Sequence, residues 1–324
     1  MRQLSLLDFL NFLYIFGQKT WHNEDWAAFL PNLFVHKERQ KRDCIMKRTI
    51  IMIVMIATLF TSMIFFSYTK RQKDVRSNQP DITGKYGVTI EANTGEVLYG
   101  KREEERSYPA SVAKMMTTIL LLENVKEDEE ITITENAIKT ESQSAKIKLR
   151  AGEKLKRDEA LKLMLIISAD PIAESIAEHI AGSKEKFVKM MNARAKELGT
   201  KHATFKNASG ADALGNRVSP YDIAIITKEA LKYPIVLEYM NTIRTTLHTS
   251  QRAPKIANHG REELYADPYA IGSKSGLSAL GQYTVVTVDE KDGKRVINVV
   301  FSSSRTQLYP DAKKMANYAF QQLK

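Results

Sequence analysis

PASVAKMMTTILLLENV, residues 109–125, sets a serine and a lysine at the head of a segment that is apolar on nearly every side. Met115, Met116, Ile119, Leu120 and Leu122 leave no polar stripe for solvent, so the helix they predict belongs in the middle of a domain. Upstream, YGVTIEANTGEVLYG (86–100) holds two strand-like runs around Asn93-Thr94-Gly95, a hairpin signal. Downstream, helical periodicity dominates from about 158 to 232, in DEALKLMLII, PIAESIAEHIAG, KEKFVKMMNARAKELG and SPYDIAIITKEALK. Strand patterning returns in SKSGLSALGQYTVVTVDE and RVINVVFSSS, joined by Asp292-Gly293, and a last helix is expected over about Tyr309–Leu323. Strands at both ends with helices between them require a sheet assembled from sequence-distant pieces. The expected fold class is α+β: an antiparallel sheet covered by helices, with a helical subdomain.

The rest of the chain sets the context for that domain, expected over residues 85–324. TIIMIVMIATLFTSMIFFSYT, residues 49–69, runs without a charge and predicts one N-terminal transmembrane or signal-anchor helix. Six cations between Lys37 and Arg48 precede it and four between Lys70 and Arg76 follow, which favours an N-terminus inside and the bulk of the chain outside. No small-x-small cleavage site follows, so an uncleaved anchor is expected; were the segment removed, the domain would be secreted. Met46-Lys47-Arg48 just before the apolar run resembles a natural start, so residues 1–48 read as an N-terminal extension, either from a mis-called start or a poorly ordered tail, and the apolar LLDFLNFLYIF within it equally suits a second interfacial or membrane segment. Residues 70–84 are polar and read as a linker.

Composition excludes several classes. The only cysteine, Cys44, lies before the apolar run, so the folded region has neither disulfides nor a cysteine metal site. The six histidines show no metal-ligand spacing, and no metal or other cofactor is expected. A net charge of +10 suits an anionic membrane or wall polymer; the lysines are scattered, and no nucleic-acid partner is expected.

Three short motifs carry the chemistry. In Ser111-Val112-Ala113-Lys114 a spacing of three puts hydroxyl and amine on one helical face, where a desolvated lysine can activate a weak nucleophile. Average composition yields roughly one chance Ser-x-x-Lys per few hundred residues, and Ser67…Lys70 and Ser183…Lys186 repeat the pattern here. Ser67 sits at the membrane boundary, and Ser183, after Gly182, reads as a helix N-cap. Only Ser111 follows a hairpin and opens a buried helix. Ser168-Ala169-Asp170 follows the apolar KLMLII and precedes a helix, where Asp170-Pro171 also suits an N-cap with a first-turn proline. Lys274-Ser275-Gly276 lies on a strand-like segment, where cation, hydroxyl and close backbone approach suit a terminal carboxylate.

In this order the three motifs resemble the S-x-x-K, S-D-N and K-T-G signatures of class A β-lactamases and penicillin-binding proteins. The likeness is strongest to the low-molecular-weight D-alanyl-D-alanine carboxypeptidases and extends over most of the chain after about residue 84, through YPASVAKMMTTILLLE, the stretch from Ser168 to Asn216, and IGSKSGLSALGQYTVV. The resemblance implies the β-lactamase/penicillin-binding transpeptidase-like fold; because the chain stops soon after the expected last helix, the extra C-terminal β-domain that many members carry is expected to be missing. It implies a serine carboxypeptidase that removes the terminal D-alanine from peptidoglycan stem peptides, that β-lactams inhibit covalently, and that works outside the cell membrane. Ser111 would be the acylated nucleophile, Lys114 the general base, and Ser168 the relay to the leaving amine. Lys274 and Ser275 would hold the substrate carboxylate beside Gly276, with the N–H groups of Ser111 and Leu277 as oxyanion donors.

One residue departs from the pattern: Asp170 stands where the family has asparagine. A carboxylate accepts but does not donate, and it stabilises a protonated lysine, so Asp170 is expected to hold Lys114 and lower its strength as a base. A penicillin-binding protein with little turnover, in a wall-binding or sensor role, is therefore one alternative. A β-lactamase is the other, and it lacks support because no Glu-x-x-x-Asn occurs between Ser168 and Lys274.

Overall fold

The computed structural model describes residues 46–67, 79–140, 147–258, 260 and 266–323. The expectations placed on residues 1–45, on 68–69 at the end of the apolar run, on 70–78 of the linker, and on His259 lie outside these described residues. The chain divides into two units, meeting between Ser77 and Asn78. In the first, helix α1 spans Met46–Ser67. Its 22 residues rise about 33 Å at 1.5 Å per residue, enough for a hydrocarbon core of about 30 Å. Large apolar side chains along it, Phe60 and Phe65 among them, are exposed. The helix is thus long and apolar enough to cross a membrane.

The second unit begins with the hairpin β1 (Tyr86–Glu91) and β2 (Val97–Lys101), followed by a 3-10 turn at Ala110–Ala113 and helix α2 (Lys114–Asn124). Then come β3 (Glu130–Thr132), α3 (Glu135–Thr140), β4 (Lys154–Lys156), α4 (Arg157–Ile166), α5 (Asp170–Ala181), α6 (Lys184–Glu197), α7 (Pro220–Ala230) and α8 (Pro234–Asn241). The chain continues through β5 (Arg244–Thr246), β6 (Lys255–Ala257), β7 (Ala270–Ser278), β8 (Gln282–Lys291), β9 (Lys294–Ser303) and α9 (Leu308–Gln322).

Five strands form an antiparallel sheet in the order β2-β1-β9-β8-β7, so the first hairpin joins the last three strands through β1 and β9. The alternation of β9 explains why both faces are covered. Ile297, Val299 and Phe301 enter the main core with α2, α4 and α5, while Val296 packs with Leu98, Ala316 and Ala319 beneath α9. Along one register row, Val88, Val299 and Val286 lead to Lys274 on the edge strand. A cation therefore terminates a row that is otherwise apolar, on the face that the main core covers.

Helix α1 begins at Met46, three residues before the expected start, and two boundaries at the motifs differ from the sequence reading. Ser111 does not open the α-helix; it lies in the 3-10 turn, and α2 begins at Lys114. Side chains three apart eclipse in a 3-10 turn, so the tighter winding aligns Ser111 and Lys114. Asp170 does not cap α5: Ala169 is the N-cap residue, no side chain caps this end, and Asp170 is the first helical residue. The expected cap at Ser183 is present, its side chain accepting from the Lys186 N–H. The central helix is as buried as its composition requires, from Lys114 through Leu121.

Candidate active site

The three motifs arrive from three parts of the fold: the turn before α2, the junction of α4 and α5, and the edge strand β7. The turn is held on both sides. Ser107 exchanges backbone hydrogen bonds with Val218 at 2.8 and 3.0 Å, and the Arg217 guanidinium lies 3.2 Å from the centre of the Tyr108 ring. Ala110 takes a left-handed φ of 50°, an uncommon conformation for a residue with a Cβ. It is accommodated because Gly210, itself at φ 84°, passes directly against the Ala110 carbonyl; a Cβ there would lie 2.7 Å from the carbonyl carbon.

The Lys114 amine is fully buried and faces three acceptors. It lies 3.0 Å from Ser111 Oγ, 2.5 Å from Asp170 Oδ1 and 2.6 Å from the Ser209 carbonyl oxygen. Three acceptors match the three N–H donors of an ammonium, and one of them is a carboxylate. Asp170 reaches this position because Ser168, at φ 59°, turns the chain sharply after α4 and starts α5 beside Lys114.

On the opposite wall, the Lys274 amine donates to Ser168 Oγ at 2.7 Å and to the Ser275 carbonyl at 2.5 Å. Its side chain is buried, and burial pushes the amine well below the ordinary lysine range. The cation of Lys114 acts in the same direction, while Asp170 opposes both.

Strand β7 meets the turn at Gly276. A Cβ on this glycine would lie 2.7 Å from the Ser111 nitrogen and 2.6 Å from Thr284 Oγ1. The glycine thus lets a strand backbone lie against the amide of the serine. Thr284 ties the two pieces together, donating to the Pro109 carbonyl at 3.0 Å. Ser275 and Leu277 flank Gly276 on the strand; Ser275 is half-buried and Leu277 is exposed.

Ser111, Lys114, Ser168, Asp170, Lys274 and Gly276 therefore converge. The sequence reading missed the loop from Asn207 to Gly210, which supplies the Ser209 carbonyl to Lys114 and the Ala208 carbonyl to Thr117. Its signal was present in Asn-Ala-Ser-Gly, whose turn chemistry appears as a 2.7 Å bond from Gly210 N–H to Asn207 Oδ1.

Comparisons with known proteins point the same way. Residues 73–305, which contain all three motifs, match the family described as D-alanyl-D-alanine carboxypeptidase. D-alanyl-D-alanine carboxypeptidase DacF of Bacillus subtilis is 34% identical over 260 residues, covering 78% of this chain and 66% of the relative. DacC of Escherichia coli, with the same description, is 25% identical over 255 residues, covering 74% and 62%. The chain thus spans just under two thirds of the length of these relatives. Among solved structures, the Streptomyces K15 DD-transpeptidase superposes with a TM-score of 0.70 at 25% identity, over 75% of this chain and 99% of its own. A D-alanyl-D-alanine carboxypeptidase from Mycobacterium tuberculosis shares the fold, with a TM-score of 0.69 at 20% identity over 75% of this chain and 93% of its own.

Proposed function

Because this chain belongs to the D-alanyl-D-alanine carboxypeptidase family, we propose that it is a serine hydrolase that removes the terminal D-alanine from peptidoglycan stem peptides. The 3.0 Å approach of the Lys114 amine to the Ser111 hydroxyl carries this reading, set as it is against the strand that bears Lys274. Ser111 Oγ attacks the carbonyl of the penultimate D-alanine and forms the acyl-enzyme, which water then hydrolyses. The amides of Ser111 and Leu277 receive the developing oxyanion; losing one such donor typically costs about 10²–10³ in rate. Lys274 and Ser275 hold the substrate carboxylate, and Ser168 relays a proton toward the departing amine. β-Lactams acylate the same hydroxyl. The apolar helix α1 tethers the domain outside the membrane, within reach of the wall.

The resemblance gives the serine's proton to Lys114, and the Asp170 carboxylate works against that assignment. The same ion pair favours a second reading, in which Ser111 is acylated but turns over slowly and the protein serves as a wall-binding or sensing element. Release of D-alanine from a pentapeptide ending in D-Ala-D-Ala separates the two. Release by the wild type and none by Ser111→Ala supports the hydrolase. A penicillin adduct without release supports the second reading, and neither adduct nor release overturns both.

A further inference from the structure

Among the described residues, two lysines are buried in this site with one carboxylate, that of Asp170, acting on both. Lys114 holds that carboxylate directly, at 2.5 Å. The hydrogen bonds of Lys274 among the described residues go to neutral oxygens, the Ser168 hydroxyl and the Ser275 carbonyl. Its other neighbours among the described residues offer no second counterion. Across the sheet it is paired with Val286, α8 lines the strand with Leu237 and Met240 beside Gly272, and the 3-10 turn contributes Ala110 and Ser111. The charged groups that act on it are Lys114 and Asp170, one repelling its proton and the other attracting it. Burying two ammonium groups with one anion leaves an uncompensated charge in a low-dielectric site, and the cheaper state sheds one proton. The proton shed is the one without a carboxylate in contact.

Resting on the reading of Ser111 as the acylated residue, we infer that Lys274, reached through the Ser168 hydroxyl, is the proton acceptor of this site, and that Asp170 keeps Lys114 as a charged positioning group for Ser111. The step balances without a co-reactant. As the Ser111 Oγ–carbon bond forms, the hydroxyl proton passes to Ser168 Oγ, whose own proton passes to Lys274 Nζ, and the carbonyl π pair becomes the oxyanion. When the tetrahedral adduct collapses, the C–N bond breaks and the leaving nitrogen takes the proton back along the same route. A substrate carboxylate beside Lys274 strengthens it as a base when substrate is bound. Exchanging the family's asparagine for Asp170 thus moves the base from one wall of the cleft to the other.

Two measurements on the full chain in detergent test this. The first is the rate of Ser111 acylation by a fluorescent penicillin as a function of pH. Lys274→Arg keeps a cation for the carboxylate but cannot be deprotonated; its rate should fall at least about 10²-fold, and adding Asp170→Asn should restore it at least about tenfold by freeing Lys114. A Lys274→Arg rate within about threefold of wild type, or a double variant no faster than Lys274→Arg, overturns the inference. The second needs no altered cleft in the sample measured. The ε-carbon resonances of ¹³C-labelled lysine are followed with pH in the wild-type protein and assigned with Lys114→Arg and Lys274→Arg. Lys274 should lose its proton first, and Lys114 losing it first overturns the inference. Absence of any penicillin adduct on the wild type would instead overturn the reading of Ser111, whatever the order of titration.

Discussion

Ser111-x-x-Lys114 and Ser183-x-x-Lys186 are the same pattern in the same domain, and the structure gives them opposite uses. At Ser183 the backbone is extended, the serine side chain accepts from the Lys186 amide, and the hydroxyl serves as an ordinary helix cap. At Ser111 the preceding Ala110 is left-handed, the serine lies within a 3-10 turn, and the hydroxyl faces the lysine amine. One serine closes its own helix end; the other is turned away from it, toward a cleft. What separates them is the surroundings of the backbone: Gly210 behind Ala110, Gly276 against the serine amide, and a buried home for the lysine.

This difference leads to tests of graded size. The largest effect belongs to the serine itself: Ser111→Ala should lower penicillin acylation by about 10⁵-fold or more, read by gel fluorescence, whereas Ser183→Ala should leave it unchanged. Next comes the contact that shapes the turn. In Gly276→Ala the new Cβ meets the Ser111 nitrogen and Thr284, and a rate loss of about 10²-fold is expected from a displaced oxyanion donor, with the fold retained by circular dichroism. A smaller change of opposite sign is expected from Asp170→Asn. Removing the carboxylate that Lys114 contacts at 2.5 Å should raise acylation at neutral pH by about tenfold, since the ion pair that holds the amine is then gone. An unchanged rate would mean that the ion pair is irrelevant to proton transfer. The smallest effect is structural: Ser183→Ala should cost about 1 kcal/mol in denaturant unfolding through the lost cap.

The sequence carried much of this, for physical reasons that differ along the chain. The apolar run after Lys114 left only an interior position for α2, and the β-branched runs marked β8 and β9 as strands, while continuous burial through their middles left no alternation to show which residues face which core. Asp292-Gly293 marked the last hairpin, which forms between β8 and β9. The order of the sheet was harder to read, because pairing of β1 with β9 joins residues some two hundred positions apart and leaves no local signal. In the site, serine, lysine and aspartate were legible as types at spacings. The Ser209 carbonyl was not, since a main-chain oxygen has no letter of its own, and neither was the 3-10 winding at Ala110–Ala113, which packing against β7 and the Asn207–Gly210 loop imposes. Asp170 shows the same limit: next to Pro171 it suited a cap, and only the neighbouring fold turns its carboxylate to Lys114.

The identity of the acylated residue can be read from mass spectrometry of the protein after incubation with benzylpenicillin. The geometry at the head of α2 predicts one adduct, on the peptide that contains Ser111, with Ser183 unmodified. A protein that stays unmodified at saturating penicillin, or one that carries its adduct on another serine, would contradict it.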